Sequence, residues 1–319
     1  MWKELLENVR KRAPRIHCIT NYVSMNDCAN VLLACGASPI MAMDEAESAQ
    51  ITSICDGLTI NIGTLSRTTI PAMLASGKQA NELGLPVVLD PVGTGASDFR
   101  TESAVRLLKK VHFTAIRGNA SELRALSAAS ENVLEGRTCL EDQGRGKGGS
   151  ENPCSPAVTV CASGVDVSEL DRVTEENLDI WTAFVKDFSR KTGAVVALTG
   201  TIDIVADADA AFIIRNGHPM MSRVTGTGCQ LSVLTSAFLA ANQIFLAGAG
   251  ACRNDLNKDS SENLSTVAAA VCAMGVCGEL AHKRLSWQDG NAAYRNYIID
   301  AVYHLTPEVL ETEARYEMR

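Results

Sequence analysis

Four short stretches carry side chains able to do chemistry: Leu89-Asp90-Pro91, Arg117-Gly-Asn119-Ala-Ser-Glu122, Leu198-Thr199-Gly200 and Thr225-Gly226-Thr227-Gly228-Cys229. In the last, two glycines one residue apart let the backbone turn tightly and approach a ligand without a Cβ in the way. Leu231, Val233, Leu234, Ala237 and Phe238 follow at helical spacing. Gly228 and Cys229 are therefore expected at a helix N-terminus, where free N–H groups and the helix dipole favour an anion such as phosphate. A Gly-x-Gly turn before a helix is also ordinary loop geometry. Leu231 stands where a third glycine would complete Gly-x-Gly-x-x-Gly, so the dinucleotide fingerprint is absent.

The elements that must position these residues alternate. Apolar runs at 16–19, 37–41, 58–63, 86–91, 113–116 and 194–198 read as strands, with helical patterns between them, and 203–206 with 210–214 reads as an antiparallel pair. This rhythm predicts an α/β fold with a mostly parallel central sheet and helices on both faces. Ligands of such sheets bind outside the carboxyl ends of the strands. Asn21, Met41, Gly63, Asp90, Arg117, Asn119, Glu122, Thr199, Gly200 and the Gly226 turn all fall on that rim. Singly, Asp90 could cap a turn before Pro91, Arg117 could make a structural ion pair, and Glu122 could be a solvated first-turn acid. Jointly they supply what phosphoryl transfer needs: positive charge, carboxylates for Mg²⁺ and backbone donors.

Composition sets the bounds. The chain has 319 residues, 46% hydrophobic, with a net charge of −8. That length suits one large α/β domain or two smaller ones, and the mild acidity argues against a nucleic-acid partner. Eleven cysteines without a Cys-x-x-Cys read as buried thiols in a reducing, cytoplasmic setting. Five scattered histidines offer no zinc-like spacing. Val224 to Cys252 runs 29 residues without a charge, longer than the ~20 a membrane span needs. Its polar start, Asn242-Gln243 and Gly248-Ala-Gly250 point instead to a buried core helix, and no membrane partner is expected. Two polar intervals, at about 136–168 and 253–263, break the pattern and read as surface insertions.

In order, the runs His17-Cys-Ile-Thr-Asn-Tyr-Val23, Gly36-Ala-Ser-Pro-Ile-Met41, Asn61-Ile-Gly-Thr-Leu65, Leu89-Asp-Pro-Val-Gly93, Arg117-Gly-Asn-Ala-Ser-Glu122, Leu198-Thr-Gly200 and Asn216-Gly-His-Pro-Met-Met-Ser-Arg-Val-Thr-Gly-Thr-Gly-Cys229 span nearly the whole sequence. Together they resemble the hydroxyethylthiazole kinase family of the ribokinase-like superfamily. That resemblance implies ATP-dependent phosphorylation of the hydroxyl of 4-methyl-5-(2-hydroxyethyl)thiazole in thiamin salvage, in one ribokinase-like domain without a separate lid. It implies ATP contacts at Arg117 and Thr199, with Asn119 and Gly200 beside them, and Mg²⁺ at Asp90 and Glu122. Met41 and Gly226 would line the thiazole site with Asn21 and Gly63 nearby, and Thr227, Gly228 and Cys229 would form the catalytic turn.

Homotrimers with active sites between subunits are implied as well. Ribokinase-like relatives such as hydroxymethylpyrimidine and sugar kinases, the alternative reading, carry Asp where Cys229 stands. A helix N-terminus lowers a thiol's pKa, so some thiolate is expected at Cys229. The sequence departs from the family pattern between Gly146-Lys-Gly148 and Gly164-Val-Asp166, which family members join directly; here fifteen residues intervene.

Overall fold

Strand and helix alternate as the apolar runs require in the computed structural model, which describes residues 2–134, 172–248 and 260–319. Six parallel strands come first: β1 (Arg15–Ile19), β2 (Ser38–Ile40), β3 (Gly57–Asn61), β4 (Val87–Asp90), β5 (Ala115–Gly118) and β6 (Val195–Leu198). They lie in the order β2-β1-β3-β4-β5-β6, and the antiparallel strands β7 (Asp203–Ala206), β8 (Ala211–Ile214) and β9 (Tyr316–Met318) complete one nine-stranded sheet. Among the described residues there is no second sheet to act as a lid.

Helices cover both faces. α1 (Trp2–Arg12), α2 (Met25–Cys35), α8 (Thr227–Gly248), α9 (Ser260–Arg284), α10 (Asn291–His304) and α11 (Pro307–Glu313) build one core. α4 (Thr69–Glu82), α5 (Asp98–Lys110), α6 (Ala120–Leu134) and α7 (Leu178–Thr192) build the other, with α3 (Glu45–Ser53) against α4. Local signals act as expected at several ends. Asp44 caps α3 by accepting from Ala46 N at 2.9 Å, and Gly36 closes α2 at φ +97°.

Other ends differ from the sequence pattern. Between β3 and β4, α4 begins at Thr69 rather than at Ser66, because Ser66 and Thr69 exchange backbone-to-hydroxyl hydrogen bonds at 3.1 Å in a turn of their own. Before β6, α7 begins at Leu178 rather than at Thr174, because Thr174 N donates to Asn177 Oδ1 at 2.8 Å and holds that stretch as a turn. α11 and β9, which follow α10, were not anticipated from the sequence pattern. The interval 136–168 lies outside the described residues, as does 253–259, while 260–263 belongs to α9. Within the long uncharged stretch, Cys229 to Gln243 is buried along α8. Ser261–Arg284 of α9 is also long and apolar enough to cross a membrane, yet 83% of its apolar window is buried inside the fold.

Strand parity aims the site. Successive strand residues face opposite sides. Val87 and Leu89 enter the core beneath α4–α7, so Val88 and Asp90 face α8. By the same alternation Thr59 and Asn61, Ala115 and Arg117, and Ala197 and Thr199 face α8, with Leu58, Ile60, Ile116, Val196 and Leu198 opposite. Asn61 and Asp90 are register partners across β3 and β4. Four polar side chains at the carboxyl ends of four neighbouring strands therefore meet the first turn of one helix.

Candidate active site

The first turn of α8 follows Gly226, whose φ of +85° suits only a residue without a side chain. A Cβ there would lie 2.7 Å from Ser24 Cβ, and one on Gly228 would lie 2.6 Å from Arg117 Cζ. The turn thus sits between the start of α2 and the Arg117 guanidinium, with no space for side chains.

Asp90 is fully buried. Its Oδ2 accepts from Asn61 Nδ2 at 2.7 Å and from Ser232 Oγ at 2.8 Å, and Arg117 Nη1 lies 3.6 Å from Oδ1. Arg117 Nη2 donates to Thr199 Oγ1 at 2.6 Å. Among the described residues, Asp90 Oδ1 and Arg117 Nε are buried without a hydrogen-bond partner. Such atoms call for a ligand or ion to complete them. Burial pushes the Asp90 carboxyl up, against the pull of Arg117, Ser232 and Asn61.

Glu122 lies in the first turn of α6 and is also buried. Its Oε1 accepts from Gly93 N and its Oε2 from Asn119 N, both at 2.9 Å. The Asn119 side chain returns the contact, accepting from Glu122 N at 2.9 Å. Burial and the neighbouring Asp90 charge raise its pKa, while Arg117 and the two N–H groups oppose them.

On the other side of the turn, Cys229 is held by two amides. Asn21 Nδ2 lies 3.0 Å and Asn61 Nδ2 3.2 Å from its Sγ. The amide orientations follow from their oxygens: Asn21 Oδ1 accepts from Ser24 N at 3.0 Å and Asn61 Oδ1 from Gly63 N at 2.8 Å. The expected thiolate is not supported. Burial, and next the Asp90 charge, push the Cys229 thiol up; these outweigh Ser24, Arg117 and Asn21. This cluster lies where the strand order turns from β2-β1 to β3-β4, the switch point at which open α/β sheets bind ligands.

A cleft of about 550 Å³ opens beside Arg117. Arg117, Asn119, Thr199, Gly200, Thr227 and Gly228 line it, facing a wall made by residues 216–222 and by Val271, Met274 and Gly275 of α9. The structure therefore joins Asn21, Asp90, Arg117, Thr199, Gly228 and Cys229 through Asn61, and sets Glu122 and Asn119 alongside. Gly63 packs against Asn21 and Asn61. Met41 sits apart from this network, half-buried on the loop after β2, with its side chain against the α8-side core.

Asn61 and Ser232 were missed as site residues. Polar Thr59 and Asn61 in an apolar strand, and Ser232 four residues after Gly228, were the available signals. The cleft's far wall was missed too, although glycines inside apolar α9 mark a close approach.

The model of the hydroxyethylthiazole kinase family (HK) matches residues 6–141 and 157–308, passing over part of the expected first insertion. A hydroxyethylthiazole kinase of Clostridium acetobutylicum is 50% identical over 317 residues, covering 99% of both chains. One of Methanobrevibacter smithii is 34% identical over 316 residues, covering 99% of this chain and 96% of its own. The solved hydroxyethylthiazole kinase protein of Pyrococcus horikoshii superposes with a TM-score of 0.75 at 29% identity, covering 100% of this chain and 98% of that one.

Proposed function

The chain belongs to the hydroxyethylthiazole kinase family, and on that premise we propose that it transfers the γ-phosphoryl group of ATP to the hydroxyl of 4-methyl-5-(2-hydroxyethyl)thiazole. One observation carries the reading at this site: buried Asp90 and half-buried Arg117, each with an uncompleted buried polar atom, meet the first turn of α8 at the mouth of the cleft. ATP lies in the cleft with its phosphates toward Arg117, Thr199 and Gly228. The alcohol approaches from the Asn21, Gly63 and Gly226 side, with Met41 at its edge.

Asp90 and Glu122 fit Mg²⁺. Asp90 Oδ1 has no hydrogen-bond partner, and each Glu122 oxygen accepts one N–H, leaving a lone pair free. Mg²⁺ needs only one or two carboxylates beside phosphate and water, so the absence of a three-residue ligand cluster among the described residues is no obstacle. When bound, the ion neutralises charge on the transferring phosphate oxygens.

The residues of the chain then divide the work. Arg117 stabilises charge on the phosphate, Thr199 fixes the guanidinium, and the N–H groups at the start of α8 hold the moving phosphoryl group. A loose transition state asks little of a base until late, so Cys229, as a neutral thiol held by Asn21 and Asn61, positions the alcohol rather than removing its proton early.

Tyr22 and Val23, 65% and 64% exposed beside Asn21, offer an apolar edge for a neighbouring subunit. They support a subunit contact beside the thiazole site, and the homotrimer itself rests on the family resemblance. The seven described cysteines are free and buried, which supports a reducing cytoplasmic setting.

Purified protein with ATP and Mg²⁺ is to be given thiazole, pyrimidine and sugar alcohols in turn, with ADP release followed. ADP formation that depends on the thiazole alcohol is expected. Release only with a pyrimidine or sugar would assign a different alcohol kinase, and no release with any acceptor would remove the kinase reading.

A further inference from the structure

The far wall of the cleft is held in place from the C-terminus. α9 approaches it closely: a Cβ on Gly275 would lie 2.8 Å from the Asn216 carbonyl, and one on Gly278 would collide with Met221 Sδ. Gly217, at φ +129°, turns the chain between them. Its N–H donates to Glu279 Oε1 at 2.6 Å, and Asn216 Nδ2 donates to the same oxygen at 3.3 Å.

Arg315, just before β9, grips that carboxylate with both arms. Nη1 reaches Oε2 at 3.0 Å and Nη2 reaches Oε1 at 2.6 Å. Arg315 N donates to Asn216 Oδ1 at 2.7 Å, Nη2 donates to Arg215 O at 2.9 Å, and Asn216 Nδ2 donates to Glu313 O at 2.9 Å. A bidentate guanidinium–carboxylate pair fixes direction as well as charge. Burial opposes ionisation of Glu279, but the Arg315 and Gly217 donors hold its carboxyl below the usual range. The wall so fixed presents Pro219, Met221, Val271 and Met274 to the cleft. These apolar surfaces suit the flat face of a nucleotide base once the phosphates lie at Arg117.

We propose that Arg315 is a positioning residue for the nucleotide: through Glu279 it fixes the 216–221 wall against which the base rests. The inference rests on the kinase reading above. A tail that only closed the sheet edge would leave KM for ATP unchanged when cut, whereas loss of this latch raises it.

Steady-state kinetics of wild type, Arg315→Gln, Arg315→Lys and Arg319→Gln separate the two. Arg319 belongs to the same tail but pairs with Asp179 and Glu317, away from Glu279. Arg315→Gln is expected to raise KM for ATP about tenfold, with kcat and KM for the thiazole alcohol within about twofold. Arg315→Lys, which keeps the charge without the planar fork, should fall between, and Arg319→Gln should match wild type. Should Arg315→Gln fail to fold, Glu279→Gln, which keeps an oxygen for the Gly217 N–H but not the charge, carries the same expectation. An unchanged KM for ATP, or equal shifts in kcat and both KM values, overturns the proposal. A wild-type protein inactive with ATP and thiazole would overturn the kinase reading instead.

Discussion

At Arg117 one planar guanidinium faces Asp90 through Nη1 and Thr199 through Nη2, and lies against Gly228 where no side chain intervenes. A lysine ammonium is a point charge on a flexible stem and cannot meet both partners while facing the cleft. Arg117→Lys is therefore expected to lower kcat by about 10²- to 10³-fold, the range for losing a preorganised charge-stabilising donor, while KM for the thiazole alcohol moves little. A kcat within about fivefold of wild type would remove Arg117 from the phosphate site. The placement of Asp90, Arg117, Glu122 and Thr199 on one rim was legible in the sequence because each stands at, or within a few residues after, the end of an apolar strand. Asn61 and Ser232 were not, because their roles depend on cross-strand register and on one turn of α8 packed over β4. The thiolate expected at Cys229 runs against the structure for a related reason: a helix terminus is visible in a sequence, but the burial and the nearby Asp90 that push the thiol up are not.

Among the elements, β1 and the loop carrying Met41 are joined by one buried imidazole. His17 Nε2 lies 2.8 Å from Ala42 O and Nδ1 lies 2.9 Å from Thr52 Oγ1. Burial lowers the His17 pKa, only partly opposed by the Ala42 carbonyl. The unfolded chain binds a proton near pH ~6.5 and the native chain only at lower pH. The His17 contribution is thus intact above ~6.5 and lost as pH falls toward the folded value. Between about pH 7.5 and about 5.5, wild type should lose more melting temperature than His17→Gln, which has nothing to titrate; parallel curves would contradict this. The parallel strands were readable because strands buried on both faces are short unbroken runs of Val, Ile and Leu. β9 was not, because Tyr316-Glu-Met is too short to show alternation and owes its state to pairing with β8. Helix starts at Thr69 and Leu178 were set by side-chain turns that an apolar stripe does not encode.

For the whole molecule, one sheet with two helical layers leaves the described chain with a cleft on the Arg117 side and an exposed apolar edge on the Asn21 side. Order of elements along the sequence was sufficient to give this architecture, since βαβ connections prescribe neighbouring parallel strands. It was not sufficient to give the cleft, half of which comes from α9 and residues 216–222, joined through contacts to a tail nearly a hundred residues later. The proposed homotrimer places the exposed edge beside Asn21 at a subunit contact. Sedimentation equilibrium should return three times the 34.0 kDa chain mass, and Tyr22→Glu should shift it toward the monomer; a monomeric wild type would contradict subunit sharing of the thiazole site.

Fixed donors at the start of α8, rather than an ionised thiol, are held to carry the reaction, and transfer of label from γ-labelled ATP to the thiazole alcohol tests this directly. Wild type should label the alcohol. Cys229→Ala should do so more slowly, by no more than about 10²-fold, because only a positioning contact is lost. Gly228→Asp should transfer nothing, since its side chain would occupy the space of the Arg117 guanidinium and bring a negative charge to the phosphate site. Equal and complete loss in both variants, or no labelled thiazole phosphate from wild type, would contradict it.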